Sequence, residues 1–237
     1  MTGPHPSRAA VEAGTEVSWP LSLRLGELAC MLNFELADHP VYDGGEFEVV
    51  VEEATEDAFT AALVDAEGTR CATVSASLPA SPGEPPVRRH DPMLARDADR
   101  PVASRAVMEA LREKGLGAMP ARWSLDTPMA RYLRDPGAMA PVFRDEGLAN
   151  PSFVLGLTNW VLAANVRMSP WLHLETESRH FRAIEPDTPL VVEARIADLF
   201  EKKGHEFVDV DVDVYRTADD AAVAGVQLRA IYRMRGT

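Results

Sequence analysis

His205-Glu206-Phe207-Val208-Asp209-Val210-Asp211-Val212-Asp213-Val214-Tyr215-Arg216 alternates valine with aspartate from Val208 to Val214. Successive side chains of a strand point to opposite faces, so this stretch predicts a strand with valines on a core face and aspartates on the other. A strand that is dry on one side only belongs in an antiparallel sheet with one covered face. Working outward, Lys202-Lys203-Gly204 reads as the tip of a hairpin closed by His205, and Asp219-Asp220 as the turn into a last strand, Ala222–Met234. Two earlier strands are expected near Trp171–Phe181 and Leu190–Phe200. Ahead of them Pro151 to about Arg167 is almost wholly apolar and reads as a helix that must be covered on most sides.

The same order occurs once earlier. Leu21, Leu25, Leu28, Leu32 and Leu36 recur at three- and four-residue intervals, which predicts a helix over Pro20–Leu36 ending near Asp38. Three strand-like runs follow, Glu46–Glu53, Asp57–Val64 and Thr69–Leu78, the last two separated by Asp65-Ala66-Glu67-Gly68. Pro79–Pro92 holds five prolines and reads as a linker. Val102–Lys114 reads as a connecting helix outside any core, stopped by Gly115 and Gly117. A helix followed by an antiparallel meander, occurring twice, argues an α+β architecture. The expected division is residues 1–80, a linker and connecting helix over 81–118, and residues 119–237.

With 237 residues and 46% hydrophobic composition, the chain is long enough to bury a continuous core. Its 37 acidic and 24 basic residues give a net charge of −13, which repels phosphates and argues against nucleic acid as a partner. No stretch has the length of a membrane span and the start lacks an apolar secretion run, so the expectation is a soluble cytoplasmic protein with no membrane partner. Cys30 and Cys71 match no metal spacing and fit a reducing compartment as small buried hydrophobes. There is no zinc ligand set, phosphate-binding glycine loop or nucleophile elbow, and no cofactor is expected. The Asp209, Asp211, Asp213 ladder is not a calcium loop, because side chains on one strand face stand about 7 Å apart and no glycine turn gathers them.

Four stretches carry a resemblance: Pro151-Ser152-Phe153-Val154-Leu155-Gly156-Leu157, Trp171-Leu172-His173, Lys203-Gly204-His205-Glu206-Phe207 and Ala230-Ile231-Tyr232-Arg233. Together they resemble the hotdog superfamily, and more narrowly the MaoC-like dehydratase and hydratase branch in double-hotdog form. The likeness covers Ser124 to Met234. Over Pro20–Leu78 it is one of element order, and neither a first strand nor the strand after the helix can be placed. It implies a long antiparallel sheet wrapped around central helices, a tunnel for a pantetheine arm, and a site between the halves. The implied substrate is an acyl group on coenzyme A or an acyl carrier protein, and the reading allows a homodimer. Hydration or dehydration is preferred, with thioester hydrolysis and non-catalytic acyl binding as alternatives.

Dehydratases of that branch carry Asp-x-Asn-Pro-x-His just before the central helix. Aligning Pro141 on the family proline puts Ala138 at the Asp, Ala140 at the Asn and Phe143 at the His, so the motif is broken. Another register offers Asp135 as the acid, and the ordinary alternative for Asp135 is a turn residue before Pro136. Gly156 either admits a thioester carbonyl to free N–H groups near the helix start or serves packing. Phe153, Gly156 and Trp160 are expected to line the tunnel. Asn159, a polar amide among apolar neighbours, is expected to point into it, whereas Asn165 reads as a cap. Related double-hotdog thioesterases use Asp with Gln and Thr or Ser, a role for which Asp135 or Asp145 with Asn159 is the loose match. His173 is expected to share a strand face with Trp171, Glu175 and Glu177, where the carboxylates tune it or the group simply faces solvent. Lys202, Lys203, Arg88 and Arg89 are candidate contacts for coenzyme A phosphates, or else solvated charges.

Overall fold

The structure, a computed structural model, describes residues 46–55, 57–78, 83–95, 99–124, 143, 146–168 and 171–236, and of residues 30–36 the backbone. Among the described residues, nine strands form one antiparallel sheet: β1 (Cys30–Leu36), β2 (Phe47–Ala54), β3 (Ala58–Asp65), β4 (Arg70–Ser77), β5 (Met119–Arg122), β6 (Leu172–His180), β7 (Pro189–Lys202), β8 (His205–Arg216) and β9 (Ala222–Arg233). Helix α1 spans Arg105–Lys114 and α2 spans Pro151–Asn165. The strand order is β2-β3-β4-β1-β6-β9-β8-β7-β5. Reading outward from the centre, β1-β4-β3-β2 and β6-β9-β8-β7 repeat one succession, and β5, which precedes α2, adds the far edge on one side. The repeats meet where β1 pairs with β6, Cys30 opposite His180 and Glu35 opposite Glu175.

This corrects the sequence reading of the first helical stretch. Cys30–Leu36 is a strand, not the end of a helix. Cys30, Leu32, Phe34 and Leu36 also alternate with Met31, Asn33 and Glu35, so two periods compete there. Pairing to β4 on one side and β6 on the other decides it, because a strand with both edges bonded satisfies every backbone group. Residues 20–29 lie outside the described ones.

The meander β7-β8-β9 behaves as its alternation predicts. Val208, Val210, Val212 and Val214 are all buried and share one cluster with Val192, Val226 and Leu228. Lys203 and Gly204 both have positive φ, 55° and 79°, which gives the β7–β8 hairpin its two-residue turn. Helix α2 starts on the N-cap Asn150, whose side chain accepts the Phe153 N–H, with Pro151 at its first turn. Its Val154, Leu157, Val161 and Leu162 are buried against β5, β7 and β9. Helix α1, capped by Ser104, packs on β7 and places Met108, 0% exposed, inside the core. It is thus part of the core, contrary to expectation.

The proline-rich stretch, where described, is irregular but pinned. Glu193, fully buried on β7, accepts hydrogen bonds from the backbone N–H groups of Arg89 (2.9 Å) and Asp91 (3.1 Å). Arg88 lies 3.5 Å from the same carboxylate and also pairs with Asp220, and Arg89 pairs with Asp213 at 2.7 Å. A buried carboxylate is tolerated only when so surrounded by donors. Cys71 is a buried free thiol. Among the described residues, no helix is long and apolar enough to cross a membrane, and no group of His, Cys, Asp or Glu is arranged to hold a metal.

Candidate functional site

The face of α2 that does not enter the core carries Leu155, Gly156, Asn159 and Trp160, all half-buried. Asn159 Oδ1 lies 3.2 Å from His173 Nδ1, and His173 Nε2 is hydrogen-bonded to the Thr176 hydroxyl. With an amide oxygen facing Nδ1, the neutral ring carries its hydrogen there and Nε2 is left as acceptor for the Thr176 O–H. Burial keeps the ring neutral, pushing its pKa down to about 4.

A bulge makes this row possible. The pairing of β6 with β9 slips between His173 and Glu175, so His173 stands opposite Ala230 and Thr176 opposite Leu228, both inward residues, while Glu175 stands opposite Arg229. Leu174 is the extra residue. The expected face of His173 with Glu175 and Glu177 therefore does not form: Glu175 turns to the outer side and accepts from Arg229 at 3.3 Å. Thr176, only 1% exposed, takes the place beside His173 that the alternation had given to a glutamate. The bulge leaves no mark in the residue pattern, and Thr176 was missed for that reason.

The aromatic neighbours form a packed series. Phe153 sits in the core with its ring edge-on to Trp123 (5.1 Å between centroids) and to Trp160 (6.3 Å). The Trp160 indole lies over Gly156, where an added Cβ would stand 3.4 Å from the ring. The structure thus gives Gly156 a packing role. Trp171 approaches His173 at 6.1 Å. Asn165 does not act as a helix cap: it is buried, accepts from Gly117 N–H at 2.8 Å and donates to the Gly117 and Val161 carbonyls. One side chain so satisfies both backbone groups of the residue that leads into β5.

A second, smaller feature lies at the start of α2. A cavity of about 20 Å³, room for one water, is lined by Phe143, Asn150, Pro151, Val154 and His180 among others. Phe143 is buried here. His180, the last residue of β6, reaches the same cavity, bonded through Nε2 to Ser178 Oγ at 3.0 Å and held neutral by burial, with its pKa lowered to about 4. Asp135 and Asp145 lie outside the described residues. Arg88 and Arg89 are engaged by Glu193, Asp213 and Asp220, which removes them as phosphate contacts.

A nine-stranded antiparallel sheet with an internal strand repeat and a covering helix is matched by solved structures. A conserved hypothetical protein from Mycobacterium tuberculosis, described as having a double hotdog fold, superposes with a TM-score of 0.54 at 17% identity, covering 98% of this chain and 83% of that one. This chain has a double hotdog fold. Two other solved structures agree in extent. An oleoyl thioesterase assignment from Lactobacillus plantarum gives a TM-score of 0.52 at 12% identity over 96% of this chain and 87% of that one. A tesB protein from Mycobacterium avium subsp. paratuberculosis gives 0.50 at 13% identity over 98% and 91%. No family model matches the sequence, and no curated protein matches it significantly. At these identities the likeness speaks for the double hotdog alone.

Proposed function

We propose that this double hotdog acts on an acyl group carried as a thioester, on coenzyme A or a carrier protein, and hydrolyses it with His173 as general base. The observation that carries the reading is the Asn159–His173–Thr176 row on the half-open face of α2. Asn159 holds Nδ1–H, so Nε2 is the accepting nitrogen; burial keeps the ring neutral at pH 7, although a pKa lowered to about 4 also makes it a weaker base than a free imidazole. In the step proposed, a water enters beside Thr176 and gives its proton to the Thr176 hydroxyl, which passes its own to Nε2, as the water oxygen bonds to the thioester carbon. The C–S bond then breaks, and the leaving thiolate takes the proton from His173. Phe153, Gly156 and Trp160 are proposed as the apolar wall beside the acyl group, with Gly156 acting by letting the Trp160 ring lie against the helix. Asp135 is proposed as an accessory carboxylate. Residues 1–80 and 119–237, joined by 81–118, are proposed as the two hotdog units. The thioesterase name of one structural neighbour supports hydrolysis over water addition, as does a buried phenylalanine where the lyase motif has histidine.

The test is release of free thiol from acyl-CoA substrates of graded chain length. Thiol release by the wild type should fall by about 100-fold or more in His173→Asn, with KM little changed and the fold intact, the usual size of a lost general base. Hydration of an enoyl thioester without thiol release would replace hydrolysis with the lyase reaction. Stabilisation by acyl-CoA without product would leave only binding.

A further inference from the structure

Of the inward side chains of β6, Thr176, Ser178 and His180 are buried, and His173 alone keeps an open side. Behind it the core is filled. Ala230, opposite His173, and Leu157 and Val161 of α2 are fully enclosed, and Leu228, opposite Thr176, is 2% exposed. Packing this close leaves no channel for a row of methylenes among these residues. An acyl group whose carbonyl reaches Thr176 and His173 therefore lies on the half-open face of α2 and not beneath the helix.

Two indoles border that place from opposite ends. β6 runs antiparallel to α2: His173 meets Asn159 in the middle of the helix, and His180 shares a cavity with Pro151 and Val154 at its start. Trp171, two residues ahead of His173 and 6.1 Å from its ring, thus stands toward the C-terminal end of α2. The Trp160 indole folds the other way, back over Gly156 toward the helix start. Both rings are half-buried, so each keeps a free surface. Two strand residues at about 3.3 Å and three helix residues at about 1.5 Å set them roughly 11 Å apart along α2. A ring midway would lie about 5.5 Å from each, within the range of paired aromatic rings.

We infer that the acyl group taken here is flat and aromatic, a benzoyl-type thioester, with Trp171 as the residue that selects it; this rests on the thioester reading above. Conjugation keeps the carbonyl of an aryl thioester in the plane of its ring, so one orientation serves the two indoles and the Thr176–His173 pair together. Indoles favour a ring set edge-on or offset against them beyond the area it covers. A long alkyl chain gains by being enclosed along its length, and a half-open helix face encloses it on one side.

The test is thiol release by the whole protein from three coenzyme A thioesters: benzoyl, cyclohexanecarbonyl, which has the same number of carbons without the flat ring, and octanoyl, which has more apolar surface. Wild-type kcat/KM should be about tenfold or more higher for benzoyl than for either other. Trp171→Leu should abolish that preference through KM, with kcat and the cyclohexanecarbonyl rate little changed, and Trp171→Phe should restore most of it. The phenacyl thioether of coenzyme A, which has no thioester to cleave, should quench tryptophan emission and bind about tenfold more weakly to Trp171→Leu. The ranking of the three substrates needs no variant and decides even where Trp171→Leu fails to fold. Equal or faster turnover of the octanoyl or cyclohexanecarbonyl thioester by the wild type overturns the inference and leaves hydrolysis standing. So does an equal fall of all three in a folded Trp171→Leu, which would mark a structural role. Absence of thiol release from all three, with binding of the phenacyl thioether that depends on Trp171, overturns hydrolysis and leaves the aromatic site. Neither release nor binding overturns both.

Discussion

The two meanders, β2-β3-β4 and β7-β8-β9, follow one topology and bury very different amounts of apolar side chain. In the first, eight-residue strands present Phe59, Ala61, Ala76 and Leu78 as a small cluster, and Val49 and Val50 remain 37% and 40% exposed. In the second, strands of 12 to 14 residues line up valines and leucines under α2 and join one large core. Alanines, threonines and serines in β3 and β4 keep the strand pairing but contribute little apolar area, whereas a fully buried Val or Leu stabilises by about 1.5–3 kcal/mol. Strand order is therefore set by turns and ladder bonds, which both meanders have, and stability by facing side chains, which chiefly the second has.

The strongest way to break that contrast is at α2. Leu157 is fully enclosed, and Leu157→Ala should cost about 4 kcal/mol in urea unfolding, from lost transfer energy and the cavity left behind. Val74→Ala in β4 removes a half-buried side chain beside the small cluster and should cost less than about 1 kcal/mol. Comparable losses for the two would show that the first meander is held by a core as deep as the second.

A smaller effect tests the seam between the meanders, where β6 carries the half-buried His173 and the buried His180. His173 and His180 titrate near 4 in the folded protein against about 6.5 in the unfolded chain. The folded pKa values are depressed, so as pH falls below about 6.5 the unfolded chain takes up protons that the folded one refuses. Stability is lost until both states are protonated below pH 4. Between pH 7 and pH 5 the loss should be roughly 2 kcal/mol per histidine. His180→Gln should remove about half of that slope in urea midpoints measured across the range. An unchanged slope would mean that the histidines do not carry it.

The comparison also explains what the sequence made legible. Val208–Val214 was legible because a long strand with one dry face writes its period into the residues, and α2 was legible from its apolar run opening on Pro151. Cys30–Leu36 carries both a helical and a strand period, and only its two neighbours, remote in sequence, decide between them. At the site, Asn159 was legible as a polar residue among apolar neighbours, and His173 was singled out for a pairing with Glu175 and Glu177 that does not form. Their partnership with Thr176 was not, since it depends on the extra residue Leu174, and a one-residue slip reverses which side chains face inward. The role of Glu193 in fixing the proline-rich strap was hidden for a similar reason: its partners are backbone N–H groups about 100 residues away, which have no residue code.

The smallest expected effect concerns Gly156, and it asks whether α2 carries a ligand along this face or only packs it. The glycine is within the helix and its φ lies outside the left-handed region, so nothing in the backbone requires glycine there. An added methyl would meet the Trp160 ring at 3.4 Å, an ordinary van der Waals contact. Gly156→Ala should therefore stabilise the protein by roughly 0.5–1 kcal/mol through helix propensity alone. Thiol release and KM should be unchanged, because Trp160, not open space, faces the new methyl. Gly156→Val extends beyond that contact, must displace the indole, and should shift tryptophan emission and raise KM for the acyl thioester. A rise in KM already in Gly156→Ala, with stability increased as expected, would mean that the ligand passes between Gly156 and Trp160. Equal KM in wild type, Ala and Val, despite a shifted emission in the last, would remove Trp160 from the acyl wall.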